Sequence, residues 1–158
     1  MTTEIRRVTS SPEQTYEMGR ELALSLRAGD VVILTGSLGA GKTCLVRGIA
    51  AGLGVKGHLS SPTFTILHPH EPGDKIGPPL HHFDVYRLPG ADDFVRNGFD
   101  ELVAGDAISL IEWGDRVREA LPEDLLEIVI TYGEHADERI LTFRFPRDRV
   151  IPKESEII

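Results

Sequence analysis

The sequence predicts an α/β domain: a mainly parallel central sheet flanked by helices, with an antiparallel hairpin toward the C-terminus. Three observations carry that prediction. Val31-Val32-Ile33-Leu34-Thr35 and Ala107-Ile108-Ser109-Leu110-Ile111-Glu112 are short apolar runs, the pattern of strands buried on both faces. After the first run, Leu45, Val46, Ile49, Ala50 and Leu53 recur at helical spacing. Leu125 to Tyr132 and Arg139 to Phe145 alternate strongly around Gly133 to Asp137, as two strands of a hairpin do. With 158 residues and 41% hydrophobic content, the chain suits one domain with a substantial core, spanning 1–145, followed by a tail at 146–158.

In chain order, Glu4 to Thr9 reads as a short edge strand. Ser11-Pro12-Glu13-Gln14 is a helix start, with Ser11 as N-cap, Pro12 in the first turn and Gln14 reaching back as a capping box. Tyr16, Gly19, Leu22, Ala23 and Leu26 form its apolar stripe, and Ala28-Gly29-Asp30 ends it.

The strand Val31–Thr35 runs into Gly36-Ser37-Leu38-Gly39-Ala40-Gly41-Lys42-Thr43, which fits G-x-x-x-x-G-K-[ST], the phosphate-cradling P-loop. Strand, glycine-rich loop and helix are the context this motif requires. Gly36, Gly39 and Gly41 permit backbone conformations in which successive N–H groups point at phosphate oxygens. The helix start near Lys42 adds partial positive charge. Lys42 supplies a cation for the β- and γ-phosphates, and the Thr43 hydroxyl is a ligand for Mg²⁺. The sequence thus predicts a P-loop domain that binds a nucleoside phosphate. Cys44 follows on the helix, where a small packing role is expected; Gly54 stops the helix.

Ser60-Ser61-Pro62 makes a turn, and Phe64 to Leu67 can extend as a strand. Thr63 lies between them; turn chemistry and contact with the γ-phosphate and its metal are equally open to it. Pro69 to Pro79 reads as a loop. Leu80 to Arg87 reads as a strand on which His81 and His82 face opposite ways and cannot chelate one ion together. Asp84 is an acid among apolar neighbours and would need a cation or donors if buried. Ala91 to Ala104, broken by Gly98, holds one or two short helices around Phe94, Phe99 and Leu102. Glu112, at the end of its apolar strand, is placed as the acidic half of a P-loop Mg²⁺ site. Asp84 competes for that role. Trp113, the only tryptophan, either lines the nucleotide site or fills core beside the strand end. Asp115 to Leu121 is a short helix stopped by Pro122.

The formal charge is −8, from 25 acidic and 17 basic residues, which disfavours autonomous binding to a phosphate backbone. Arg139, Arg144, Arg147, Arg149 and Lys153 gather toward the C-terminus, but Glu138, Asp148 and Glu154 are interspersed, as on a solvated mixed face. A single cysteine excludes an internal disulfide and suits a reducing compartment. No apolar run is long enough to span a bilayer, and the N-terminus carries no secretory pattern. The expected location is cytoplasmic, with no membrane partner.

Leu38-Gly39-Ala40-Gly41-Lys42-Thr43, Ser61-Pro62-Thr63-Phe64, His82-Phe83-Asp84-Val85-Tyr86-Arg87-Leu88 and Ile111-Glu112-Trp113, in this order, resemble the TsaE (YjeE) family of bacterial tRNA threonylcarbamoyladenosine biosynthesis. The resemblance runs from about Pro12 to the hairpin. It implies an ATPase that works with the TsaB–TsaD pair and meets tRNA only through that complex. It also implies that Leu38, Gly39, Ala40, Gly41, Lys42, Thr43 and Cys44 surround the phosphates of ATP. Thr43, Asp84 and Glu112 stand on the Mg²⁺ side, Thr63 in a switch-like loop, Trp113 at the border of the site, and Ser11 to Thr15 near the adenine. Lys42, Asp84, Glu112 and Thr63 are the expected catalytic set. Two positions depart from the family pattern: Ser37 stands where an acid is frequent, and Cys44 where a second Thr is common.

Two other function classes remain open at this level. A small-molecule kinase would need an acceptor pocket and an arginine-rich lid, for which Arg87 and Arg96 are sparse material. A nucleotide-gated adaptor would bind ATP and dock partners without turnover. The guanine-reading Asn-Lys-x-Asp pattern is missing, since none of the four lysines has that setting.

Overall fold

A computed structural model describes residues 2–36, 41–55, 67–70 and 78–146, with the side chains of Thr2 and of 67–70 outside that description. In chain order the elements are β1 (Thr2–Thr9), α1 (Pro12–Ala23), β2 (Val31–Gly36), α2 (Lys42–Gly52) and β3 (Leu67–His70). β4 (Leu80–Asp84), α3 (Ala91–Arg96), α4 (Phe99–Val103), β5 (Ile108–Glu112), β6 (Leu126–Tyr132) and β7 (Arg139–Pro146) complete the set. A 3-10 segment, Gly114–Ala120, follows β5.

The sheet runs in the order β1-β7-β6-β2-β5-β4-β3. Its centre, β6-β2-β5-β4, is parallel, whereas β1, β7 and β3 add antiparallel margins. The predicted fold class is therefore the observed one, and the predicted hairpin is β6–β7. Because side chains alternate along a strand, each central strand serves two cores. Val32, Leu34, Leu110 and Ile128 face α1 and α2, where Met18, Leu22, Leu45 and Ile49 cover them. Ile33, Phe83 and Ile111 face the other way, against Phe94, Val117 and Leu121.

The two helices of the first layer pack backbone to backbone. A Cβ on Gly19 would stand 2.5 Å from the carbonyl oxygen of Leu45, and one on Gly48 would overlap the carbonyl oxygen of Tyr16. α1 is thus seated directly on the helix that follows the P-loop.

Several boundaries depart from the periodicity. α1 stops at Ala23, ahead of Ala28-Gly29-Asp30, because the chain tightens there: the backbone N–H groups of Ser25 and Leu26 donate to Leu22 and Ala23. The Ser25 hydroxyl also donates to the Leu22 carbonyl, 2.8 Å. The buried stripe of α1 includes Thr15 and Met18, with Tyr16 only half-buried. Gln14 does reach back, but its Oε1 accepts from the N–H of Ser10, one residue before the N-cap. β4 ends at Asp84 and does not continue to Arg87, because Asp84 Oδ1 accepts the N–H of Tyr86 at 3.0 Å and turns the chain. β3 includes Pro69 and His70, which the sequence assigns to a loop; as the outermost strand it tolerates proline. In α4 it is Val103, not Leu102, that is buried. The predicted turn at 60–62 and most of the predicted strand at 64–67 lie outside the described residues, as does the tail beyond Pro146.

Candidate functional site

The C-terminal ends of β2, β5 and β4 converge, since these strands are parallel and in register: Leu34 pairs with Glu112, and Glu112 with Asp84. Ligand sites in open α/β sheets form at this edge. β2 leads into the P-loop through Gly36, whose φ of +135° and close approach to Ile130 on β6 exclude a side chain. The loop closes at Gly41, the N-cap of α2, in the left-handed region with φ +98°. Residues 37–40, including Leu38, Gly39 and Ala40, lie outside the described residues, as does Thr63.

Lys42 opens α2, and the residue is only 6% exposed. Its Nζ has no hydrogen-bond partner among the described residues and sits 3.6 Å from the centroid of the Trp113 ring. Burial pushes the ammonium below the ordinary lysine value, while Glu112, then Asp84 and Asp115, act against that shift. A cation held beside a π face is partly compensated for lost hydration, but its donors remain unused. Such a group fits an anion arriving at the helix N-terminus.

Two carboxylates, Glu112 and Asp84, stand within electrostatic reach of Lys42. Asp84 is half-buried; burial raises its pKa most, the Tyr86 N–H lowers it, and Glu112 raises it further. Glu112 is buried, with Oε2 2.6 Å from Nε2 of His82. Thr43 is exposed on the first turn of α2, and Cys44 beside it is half-buried, less enclosed than its expected packing role implies. Hard carboxylate and hydroxyl oxygens of this kind suit Mg²⁺, which takes one or two protein carboxylates and completes its shell with phosphate and water.

Trp113 is the only non-glycine among the described residues with positive φ, at 63°. Its N–H donates to the Leu34 carbonyl at 2.8 Å, and a Cβ on Gly114 would strike Ile33 Cγ2 at 2.5 Å. The turn after β5 is therefore clamped against β2, and that clamp swings the indole over Lys42. Tyr86 packs on the outer side of Trp113, ring centroids 5.0 Å apart. Trp113 lies against the P-loop lysine and also packs on the second core, so both features of the sequence reading are present.

A family model described as "Threonylcarbamoyl adenosine biosynthesis protein TsaE" matches residues 9–141. The chain belongs to the TsaE family. A relative from Streptomyces coelicolor, described as tRNA threonylcarbamoyladenosine biosynthesis protein TsaE, is 48% identical over 124 residues, covering 77% of this chain and 83% of its own. A Bacillus subtilis protein of the same description is 41% identical over 135 residues, covering 85% and 82%. Among solved structures, that of Bacillus subtilis YdiB superposes with a TM-score of 0.71 at 35% identity, over 92% of this chain and 87% of that one. The family resemblance drawn from the motifs is thus borne out.

In this TsaE family member the structure brings together Lys42, Asp84, Glu112 and Trp113. Ser11 caps α1 and Thr15 lies in its first turn, where their side chains make local hydrogen bonds. Ser11 Oγ accepts from the Gln14 N–H at 3.1 Å, and Thr15 Oγ1 shares a buried 2.7 Å hydrogen bond with Thr9 Oγ1. Two residues escaped the motif reading. His82 stands in the family landmark and is set apart from His81, but the sequence assigns it no role in the site; in the structure it binds Glu112. Arg139 was grouped with a solvated mixed face, a reading that fits Arg144, which pairs with Glu4 and Glu127. Arg139 instead lies against the P-loop: a Cβ on Gly41 would stand 3.9 Å from its Nε. It also packs over Tyr132, 4.7 Å from the ring centroid, and donates to the Ala136 carbonyl at 2.8 Å. Among the described residues, no helix is long and apolar enough to cross a membrane.

Proposed function

We propose that the chain is a Mg²⁺-dependent ATPase that serves threonylcarbamoyladenosine synthesis on tRNA, acting with the TsaB–TsaD pair in the cytoplasm. The observation that carries this reading is the buried ammonium of Lys42 at the N-terminus of α2, without a hydrogen-bond partner among the described residues and with two paired carboxylates within electrostatic reach. Membership of a family named for this modification supports the pathway, and the acidic chain suits a component that docks on protein and leaves tRNA to its partners.

Lys42 leaves the Trp113 face to bind the β- and γ-phosphates as the P-loop amides enclose them. Thr43, Asp84 and Glu112 are the residues that would hold Mg²⁺. When bound, the ion neutralises charge on the β- and γ-oxygens. Transfer of the γ-phosphoryl to water needs positioning and charge stabilisation above all, and these residues supply both. Arg139, next to Gly41, adds a further cation, and Arg87 or a partner's arginine is available for the developing charge.

Lys42→Ala tests the reading. It should abolish ATP binding and support of tRNA modification while the fold persists. Full modification with this variant would overturn the proposal.

A further inference from the structure

Resting on that reading, we infer that His82 is a positioning residue for the metal-side acid: it holds one oxygen of Glu112 so that the other is presented at the nucleotide edge of the sheet. The geometry is direct. Nε2 of His82 and Oε2 of Glu112 are 2.6 Å apart, and the two side chains are only 2% and 8% exposed. The residues belong to different strands and are not opposite each other. His82 pairs with Leu110, so it meets Glu112 on the diagonal, from two residues further along β5. Diagonal neighbours are within reach only for long side chains, and both groups must be extended to meet. An ionised carboxylate can only accept, so the proton in this bond belongs to Nε2 of the imidazole.

The consequence for the site follows from geometry. A glutamate at a strand end has three rotatable bonds, and the loss of that freedom must be offset before its carboxylate can serve as a ligand. With Oε2 tied to a ring that is itself buried, the carboxylate loses much of that freedom, and it is held within electrostatic reach of Asp84 and Lys42. Partners of this kind, behind the atoms that meet the metal, sustain affinity without touching it. Asp84 needs no such support, because the N–H of Tyr86 already holds its Oδ1. Each of the two acids thus has one oxygen restrained, by a different donor.

The test is a Mg²⁺ titration of the binding of a fluorescent ATP analogue, on wild type and on His82→Phe, His82→Gln and His82→Asn. Gln places an amide N–H where Nε2 stands, whereas Asn reaches only the Nδ1 position. In His82→Phe and His82→Asn the Mg²⁺ needed for half-maximal binding should rise about 10- to 100-fold. Binding in EDTA should stay within about threefold of wild type, because the P-loop is untouched. His82→Gln should recover to within a few-fold. Should the Phe variant fail to melt cooperatively, the Gln–Asn comparison carries the test alone. Unchanged Mg²⁺ dependence in the Asn variant, or equal losses in EDTA and in Mg²⁺, would overturn the inference. A wild-type chain whose binding of the analogue ignores Mg²⁺ would overturn the ATPase reading itself, and this inference with it.

Discussion

At Asp84 the fold carries an electrostatic cost. Burial and the neighbouring Glu112 raise its pKa above the ordinary carboxyl value of 3.8, so the folded chain keeps a proton that the unfolded chain has lost. The associated stability is present below the unfolded value and is lost as the pH rises through the folded one. Asp84→Asn should therefore melt above the nucleotide-free wild type at pH 7, with the advantage shrinking toward pH 4, in thermal scans at the two pH values. The same variant should lose Mg²⁺-dependent ATP binding. Arg139 is tested in a complementary way. Arg139→Ala should weaken ATP binding about tenfold, equally in EDTA and in Mg²⁺, as loss of a charged hydrogen bond to a phosphate at the P-loop would. Lys42, Asp84 and Glu112 were legible in the sequence because each closes a local pattern: a glycine-rich motif or an apolar strand. His82 and Arg139 were not. The first meets a residue thirty positions away through the register of β4 on β5, and the second, on β7, reaches Gly41 only because β7 pairs with β6 and β6 with β2.

Between elements, the α1–α2 contact decides where the P-loop helix sits. Gly48 has no room for a methyl group, since its Cβ would overlap the Tyr16 carbonyl oxygen. Gly48→Ala should cost at least about 2 kcal/mol, a fall in Tm of roughly 4–8 °C. Gly90→Ser is the control: nothing lies within 4 Å of a Cβ there, and serine is favoured at the start of a helix such as α3, so no loss is expected. The apolar runs revealed the central strands and the hairpin because burial on one or both faces leaves a period that single residues cannot hide. Element ends were less legible. The early stop of α1 depends on the Ser25 hydroxyl capturing the Leu22 carbonyl, and that of β4 on the Asp84 side chain capturing a backbone N–H. Both are side-chain hydrogen bonds that hydrophobic spacing does not encode.

For the molecule as a whole, parallel strands bring a phosphate-binding helix start and a pair of carboxylates to one edge, with a strained tryptophan turn between them. Binding and turnover are separable in such a site. Glu112→Gln should retain the ATP binding that the P-loop supports in EDTA while losing hydrolysis, and if that variant still supports repeated rounds of tRNA modification, the adaptor reading replaces the enzymatic one. The most direct measurement is ATP hydrolysis by the purified chain in Mg²⁺, alone and with the TsaB–TsaD pair and tRNA. The account predicts slow turnover that rises in the presence of the partners and vanishes in Lys42→Ala. Turnover indifferent to the partners, or undiminished in Lys42→Ala, would contradict it.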